Sequence, residues 1–81
     1  MITPTHPGLI TFVEKDGGPD QVLPIDQVPE SIAFVREGEV VAPVVRVVAA
    51  LRGDSRELRC YGVDGRLLLT TFQRRLHQST H

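Results

Sequence analysis

The stretch Val40-Val41-Ala42-Pro43-Val44-Val45-Arg46-Val47-Val48-Ala49-Ala50-Leu51 decides the fold, because it supports two opposite readings. Pro43 near its start and Gly53 just past its end bracket it as a helix would be bracketed. Its content argues the other way. Val44, Val45, Val47 and Val48 are β-branched, and their stiff χ1 torsions lower helix propensity and suit a pleated strand. We expect a long strand bent at Pro43 and shared by both halves of a small barrel. The alternative is an α+β domain with a helix over 43–52.

The segments on either side read as short strands separated by turns. Asp64-Gly65 is a hairpin signal, since a type I′ turn needs positive φ at both central residues and this dipeptide supplies it at low cost. Pairing outward from that turn sets Val63 against Arg66, Tyr61 against Leu68, Cys60 against Leu69 and Leu58 against Thr71. Leu58, Cys60, Gly62, Leu67, Leu69 and Thr71 then form an inner face. On the N-terminal side, a two-residue turn at Glu37-Gly38 pairs Val35 with Val40 and Phe34 with Val41, both favourable apolar cross-strand pairs. Further upstream, Asp16-Gly17-Gly18-Pro19-Asp20 separates Leu9–Glu14 from Gln21–Ile25, as in a hairpin with a longer loop. Pro24 and Pro29 make the stretch to Ser31 a connection or an irregular edge. The sum is a mainly β domain, an antiparallel meander or barrel-like fold of five or six strands with room for one short helix.

Eighty-one residues allow one domain. At this size about 60 to 65% of the unfolded chain's surface is buried on folding, so a deep enclosed active site is hard to build from one copy. The domain spans 1–81, with loose ends expected over about 1–7 and 75–81, where prolines or polar residues dominate.

Charge is unevenly distributed. Residues 1–45 contain seven acids against Lys15 and Arg36, a net of −5, whereas residues 46–81 contain seven arginines against Asp54, Glu57 and Asp64, a net of +4. A split of this kind points to partner binding or self-complementarity rather than to a reaction. The one cysteine, Cys60, excludes an intrachain disulfide framework, and no signal peptide is visible, so a cytoplasmic, non-membrane protein is expected.

The outward face of the C-terminal hairpin carries the candidate binding residues Arg59, Tyr61, Arg66, Leu68, Phe72 and Arg74, with Thr70 among them. Guanidinium groups interleaved with aromatic rings suit a sheet that neutralises phosphates and stacks bases. No RNA-recognition sheet motif, helix-turn-helix or zinc-finger spacing accompanies them, and the net charge of −1 is not that of a dedicated nucleic-acid binder. The expected role is therefore a non-enzymatic binding or regulatory module acting through protein–protein contacts, with a homodimer favoured. A small nucleic-acid-binding protein is the first alternative, and an accessory subunit of an enzyme the second. No catalytic residue, metal site or cofactor is expected. Cys60 falls on the inner face, His77 and His81 lack a third ligand, and Glu14, Asp16 and Asp20 lack the spacing of a calcium loop. Arg52-Gly53-Asp54 is read as a turn.

Overall fold

The computed structural model describes residues 6–74. In chain order these form β1 (Leu9–Glu14), β2 (Gln21–Pro24), a 3₁₀ turn (Ile25–Gln27), a one-turn helix α1 (Glu30–Ala33), β3 (Phe34–Glu37), β4 (Val40–Arg52), β5 (Ser55–Gly62) and β6 (Leu67–Arg74). The expectation of a mainly β domain of five or six strands with room for one short helix is met. The helix over 43–52 is not formed, since that stretch is the interior of β4, a 13-residue strand.

β4 organises everything else. At about 3.3 Å per residue a strand of this length spans about 43 Å, which matches the 45 Å long axis of the molecule. Its first part pairs antiparallel with β3, and its remainder pairs antiparallel with β5 and parallel with β1. The strand order β2-β1-β4-β5-β6 gives an open sheet, not a closed barrel, with β3 attached to the start of β4. The parallel β1–β4 pair was not foreseen in the antiparallel meander. It requires a long crossover, and here the crossover is the whole segment between them, including the 3₁₀ turn, α1 and β3.

That crossover covers one face of the sheet. Val28, Ala33 and Val35 from the connection pack with Ile10, Val44, Val47, Ala49, Leu58 and Cys60 from the strands, and Phe12, Leu23, Ile25, Ile32, Phe34 and Leu68 surround them. Proline shapes the route. Pro24 ends β2, and the Pro29 carbonyl accepts the Ile32 and Ala33 backbone amides, so the chain makes single turns before entering β3.

Two hairpins form at the expected places with different chemistry. The β3–β4 turn is Gly38-Glu39, pairing Glu37 with Val40 and Val35 with Ala42, in place of the Val35–Val40 and Phe34–Val41 pairs expected of a turn at Glu37-Gly38. Gly38 has φ +65° and no non-glycine residue among those described has positive φ, so a two-residue turn has glycine first, as type II′ requires. The β5–β6 turn is likewise not type I′. The Gly65 amide donates to the Gly62 carbonyl, Gly65 has φ +84°, and the Gly62 amide donates to the Arg66 carbonyl. This is a three-residue loop closed by a left-handed glycine. Cys60–Leu69 and Leu58–Thr71 pair as expected, but a second irregularity puts Tyr61 opposite Leu67 instead of Leu68.

Candidate functional site

The face opposite the core lacks a cover among the described residues. Lateral pairing aligns its side chains in rows across the strands. Thr11, Arg46, Tyr61 and Leu67 make one row; Val13, Val48, Arg59 and Thr70 the next; and Ala50, Glu57 and Phe72 a third. Val22 extends the first row through its pairing with Thr11.

Of the candidate binding residues, Arg59, Tyr61 and Phe72 share this face. Arg66 does not join them: it is held at the hairpin turn by Glu37, with Nη2 donating to Oε1 at 2.8 Å. Leu68 turns inward because of the register shift. A β-carbon at Gly62 would stand 3.1 Å from Leu68 Cδ1, so the leucine lies over Gly62 on the core side. The Arg74 side chain lies outside the described residues, as do residues 1–5 and 75–81 with His77 and His81.

The face contains two adjoining hollows that share Val48 and Tyr61. The larger, about 440 Å³, is lined by Val45, Arg46, Val48, Tyr61 and the turn residues Gly62, Val63 and Gly65. The smaller, about 70 Å³, is lined by Lys15, Val48, Ala50, Glu57, Arg59 and Tyr61. Both hollows open on the sheet face and combine an aromatic ring with an apolar floor and flanking cations.

Glu57 organises the charges. It is 8% exposed, and its carboxylate is shared between two arginines, Arg52 Nε at 3.2 Å from Oε1 and Arg59 Nε at 3.5 Å from Oε2. Lys15 and Arg46 make no ion pair among the described residues. The face thus presents four cations against one buried carboxylate. Elsewhere the opposite charges of the two chain halves meet within one molecule, through the Glu14–Arg56 and Glu37–Arg66 pairs.

The sequence reading missed the contributions of β1 and β4, above all Arg46. A single arginine within a valine run was the available signal. Placing it beside Tyr61 required knowing that β4 and β5 are neighbours and that a bulge separates Val44 from Arg46.

Cys60 is buried, and desolvation raises its thiol pKa. His6 has both ring nitrogens engaged by backbone, Nε2 at 2.7 Å from the Val44 carbonyl and Nδ1 accepting from the Gly8 amide at 2.9 Å. No three His, Cys, Asp or Glu side chains converge as metal ligands among the described residues, and no helix there is long and apolar enough to cross a membrane. Comparison with protein families, with curated proteins and with solved structures yields no match.

Proposed function

We propose that this protein is a non-enzymatic binding module that docks a protein partner against the uncovered face of its sheet, with Tyr61 and Arg46 at the centre of the contact. The observation that carries this reading is the asymmetry of the sheet: the crossover packs on one face, while the other keeps Tyr61, Val48 and Phe72 beside cations with no covering layer. Aromatic and arginine side chains in partly desolvated hollows are the residue types that dominate binding energy at protein interfaces. The excess of Lys15, Arg46, Arg52 and Arg59 over Glu57 favours a partner that brings carboxylates. A regulatory role, or service as an accessory subunit of an enzyme, uses the same docking chemistry.

Nucleic acid is the second reading, favoured by the same cations beside Tyr61. Glu57 weighs against it. A carboxylate at the middle of the face neutralises Arg52 and Arg59, which a phosphate backbone would otherwise recruit, and Tyr61 and Phe72 are the only aromatic rings in the rows.

The test places a photo-cross-linking residue at Val63, which is exposed at the rim of the larger hollow, in cells of the native host. Protein adducts that disappear when Arg46→Glu or Tyr61→Ala is added support the proposal. Adducts to RNA or DNA with the same dependence replace it with the second reading. Absence of adducts, or adducts indifferent to both substitutions, overturns it.

A further inference from the structure

The two edges of the sheet are built differently. β2 offers only four residues and ends in Pro24, which has no backbone donor, so that edge is blunted. β6 offers eight, Leu67–Arg74. Between Leu67 and Gln73 it carries no charge and no proline, and Leu67, Leu69 and Phe72 are 45%, 36% and 57% exposed. An edge strand that stays unpaired in solution ordinarily carries a charge, a proline or a cover to stop it templating another strand. Over Leu67–Gln73 β6 carries neither a charge nor a proline, and no cover lies on it among the described residues.

We infer that β6 pairs antiparallel with β6 of a second copy, about a two-fold axis near Thr70, joining two sheets into one. Three observations select a second copy as the occupant. Symmetric pairing sets the uncharged stretch Leu67–Gln73 against its own copy, with Leu68 opposite Phe72 and Leu69 opposite Thr71, and confines the like-charge pairing of Arg66 with Arg74 to its two ends. Stacking the open faces of two copies would instead bring Lys15, Arg46, Arg52 and Arg59 against their own duplicates. Head-to-tail pairing of β6 with β2 would be limited to four residues by Pro24 and would propagate rather than close, whereas the two-fold arrangement closes at two chains. The Glu14–Arg56 and Glu37–Arg66 pairs also remove much of the charge available for joining the acidic half of one chain to the basic half of another. Because edge pairing leaves both open faces exposed, this dimer stands or falls separately from the docking proposal.

Sedimentation equilibrium tests it. The full chain at tens of micromolar should show twice its 9.0 kDa mass, not reduced on raising salt, because the contact is backbone pairing and apolar side chains and salt screens the arginines at its ends. Thr70→Lys places two ammonium groups face to face at the axis and should return the mass to one chain with the circular dichroism of the parent retained. A parent mass of one chain up to several hundred micromolar overturns the inference. So does a dimer that Thr70→Lys leaves intact, or one that high salt dissociates. If the lysine variant does not fold, intermolecular nuclear Overhauser contacts in a mixture of labelled and unlabelled parent chains decide the matter: contacts from β6 to β6 support edge pairing, and contacts elsewhere, or none, overturn it.

Discussion

Val44 and Val47 lie three residues apart on one strand, yet both are wholly buried in the same core. In a regular strand residues three apart face opposite ways. The register shift between Val44 and Arg46 resolves the conflict, because Val45 is the extra residue of a bulge and the alternation restarts after it with Val47 and Ala49 inward and Arg46 and Val48 outward. The bulge therefore aims Arg46 at the open face. Val47→Ala should cost about 2 kcal/mol, the transfer free energy of a buried valine plus the cavity left behind. Val45→Ala, at the half-buried bulge position, should cost less than about 1 kcal/mol. Denaturant unfolding of both variants checks the contrast, and equal losses would mean the strand is regular.

The same bulge explains what was legible in the sequence and what was not. Valines at 44, 45, 47 and 48 favour a strand by their branching, but with the bulge at Val45 the core residues Val44, Val47 and Ala49 follow no regular alternation along it. Local chemistry tipped the reading toward strand, kept the helix over 43–52 as the alternative, and left the phase ambiguous. The hairpins show a similar division. Gly38 and Gly65 mark the turns, but which neighbour shares the turn depends on strand register, fixed by contacts across the whole sheet. One displaced residue was enough to turn Leu68 inward and remove it from the open face. Arg59, Tyr61 and Phe72 fall on one face as expected because β5 and most of β6 alternate regularly. Arg46 was missed because its neighbour Tyr61 is distant in sequence, and nothing local reports the parallel β1–β4 pairing.

Gly38→Ala and Gly65→Ala should each destabilise by about 1 kcal/mol. The cause in both is backbone strain alone, since a β-carbon at either position meets nothing within 4 Å. Val63→Ala in the same loop should be close to neutral. Asp64→Ala should weaken the β5–β6 turn, because Asp64 Oδ1 accepts the Arg66 amide at 3.0 Å. Thermal melts of the four variants test the turn geometry, and a neutral Gly65→Ala would contradict the left-handed loop residue.

Cys60 predicts a pH dependence. Burial raises its thiol pKa above the ordinary value of 9.0 in the folded chain. The unfolded chain then loses its proton at lower pH than the folded chain. The associated stability is full below about pH 8 and falls as pH rises past 9 toward the folded value. Cys60→Ala should flatten this alkaline fall while lowering stability at neutral pH through the lost sulfur packing. In the parent, a thiol reagent should react only as fast as the sheet opens, and much faster in denaturant. Rapid labelling of the folded protein would place the thiol at the surface.

His6 ties the start of the described chain to the bulge, and the hydrogen bonds define its tautomer. The Gly8 amide can only donate, so Nδ1 carries a lone pair; the Val44 carbonyl can only accept, so Nε2 carries the proton. The ring also meets Phe34 edge-on, with centroids 5.4 Å apart. His6 thus fastens the segment before β1 to β4 at Val44, one residue before the bulge that aims Arg46. His6→Phe keeps a ring against Phe34 and removes both hydrogen bonds, leaving the Val44 carbonyl and Gly8 amide to find water. The expected cost is about 1 kcal/mol, because the site is half-buried and water replaces part of what is lost. His6→Ala should cost more by the lost ring contact. A long-range ¹H–¹⁵N spectrum of the parent above neutral pH should show the Nε2-protonated form, and amide shifts at Val44, Val45 and Arg46 should move in both variants. A spectrum showing the Nδ1-protonated form, or shifts confined to the first few residues, would mean that His6 does not hold the bulge.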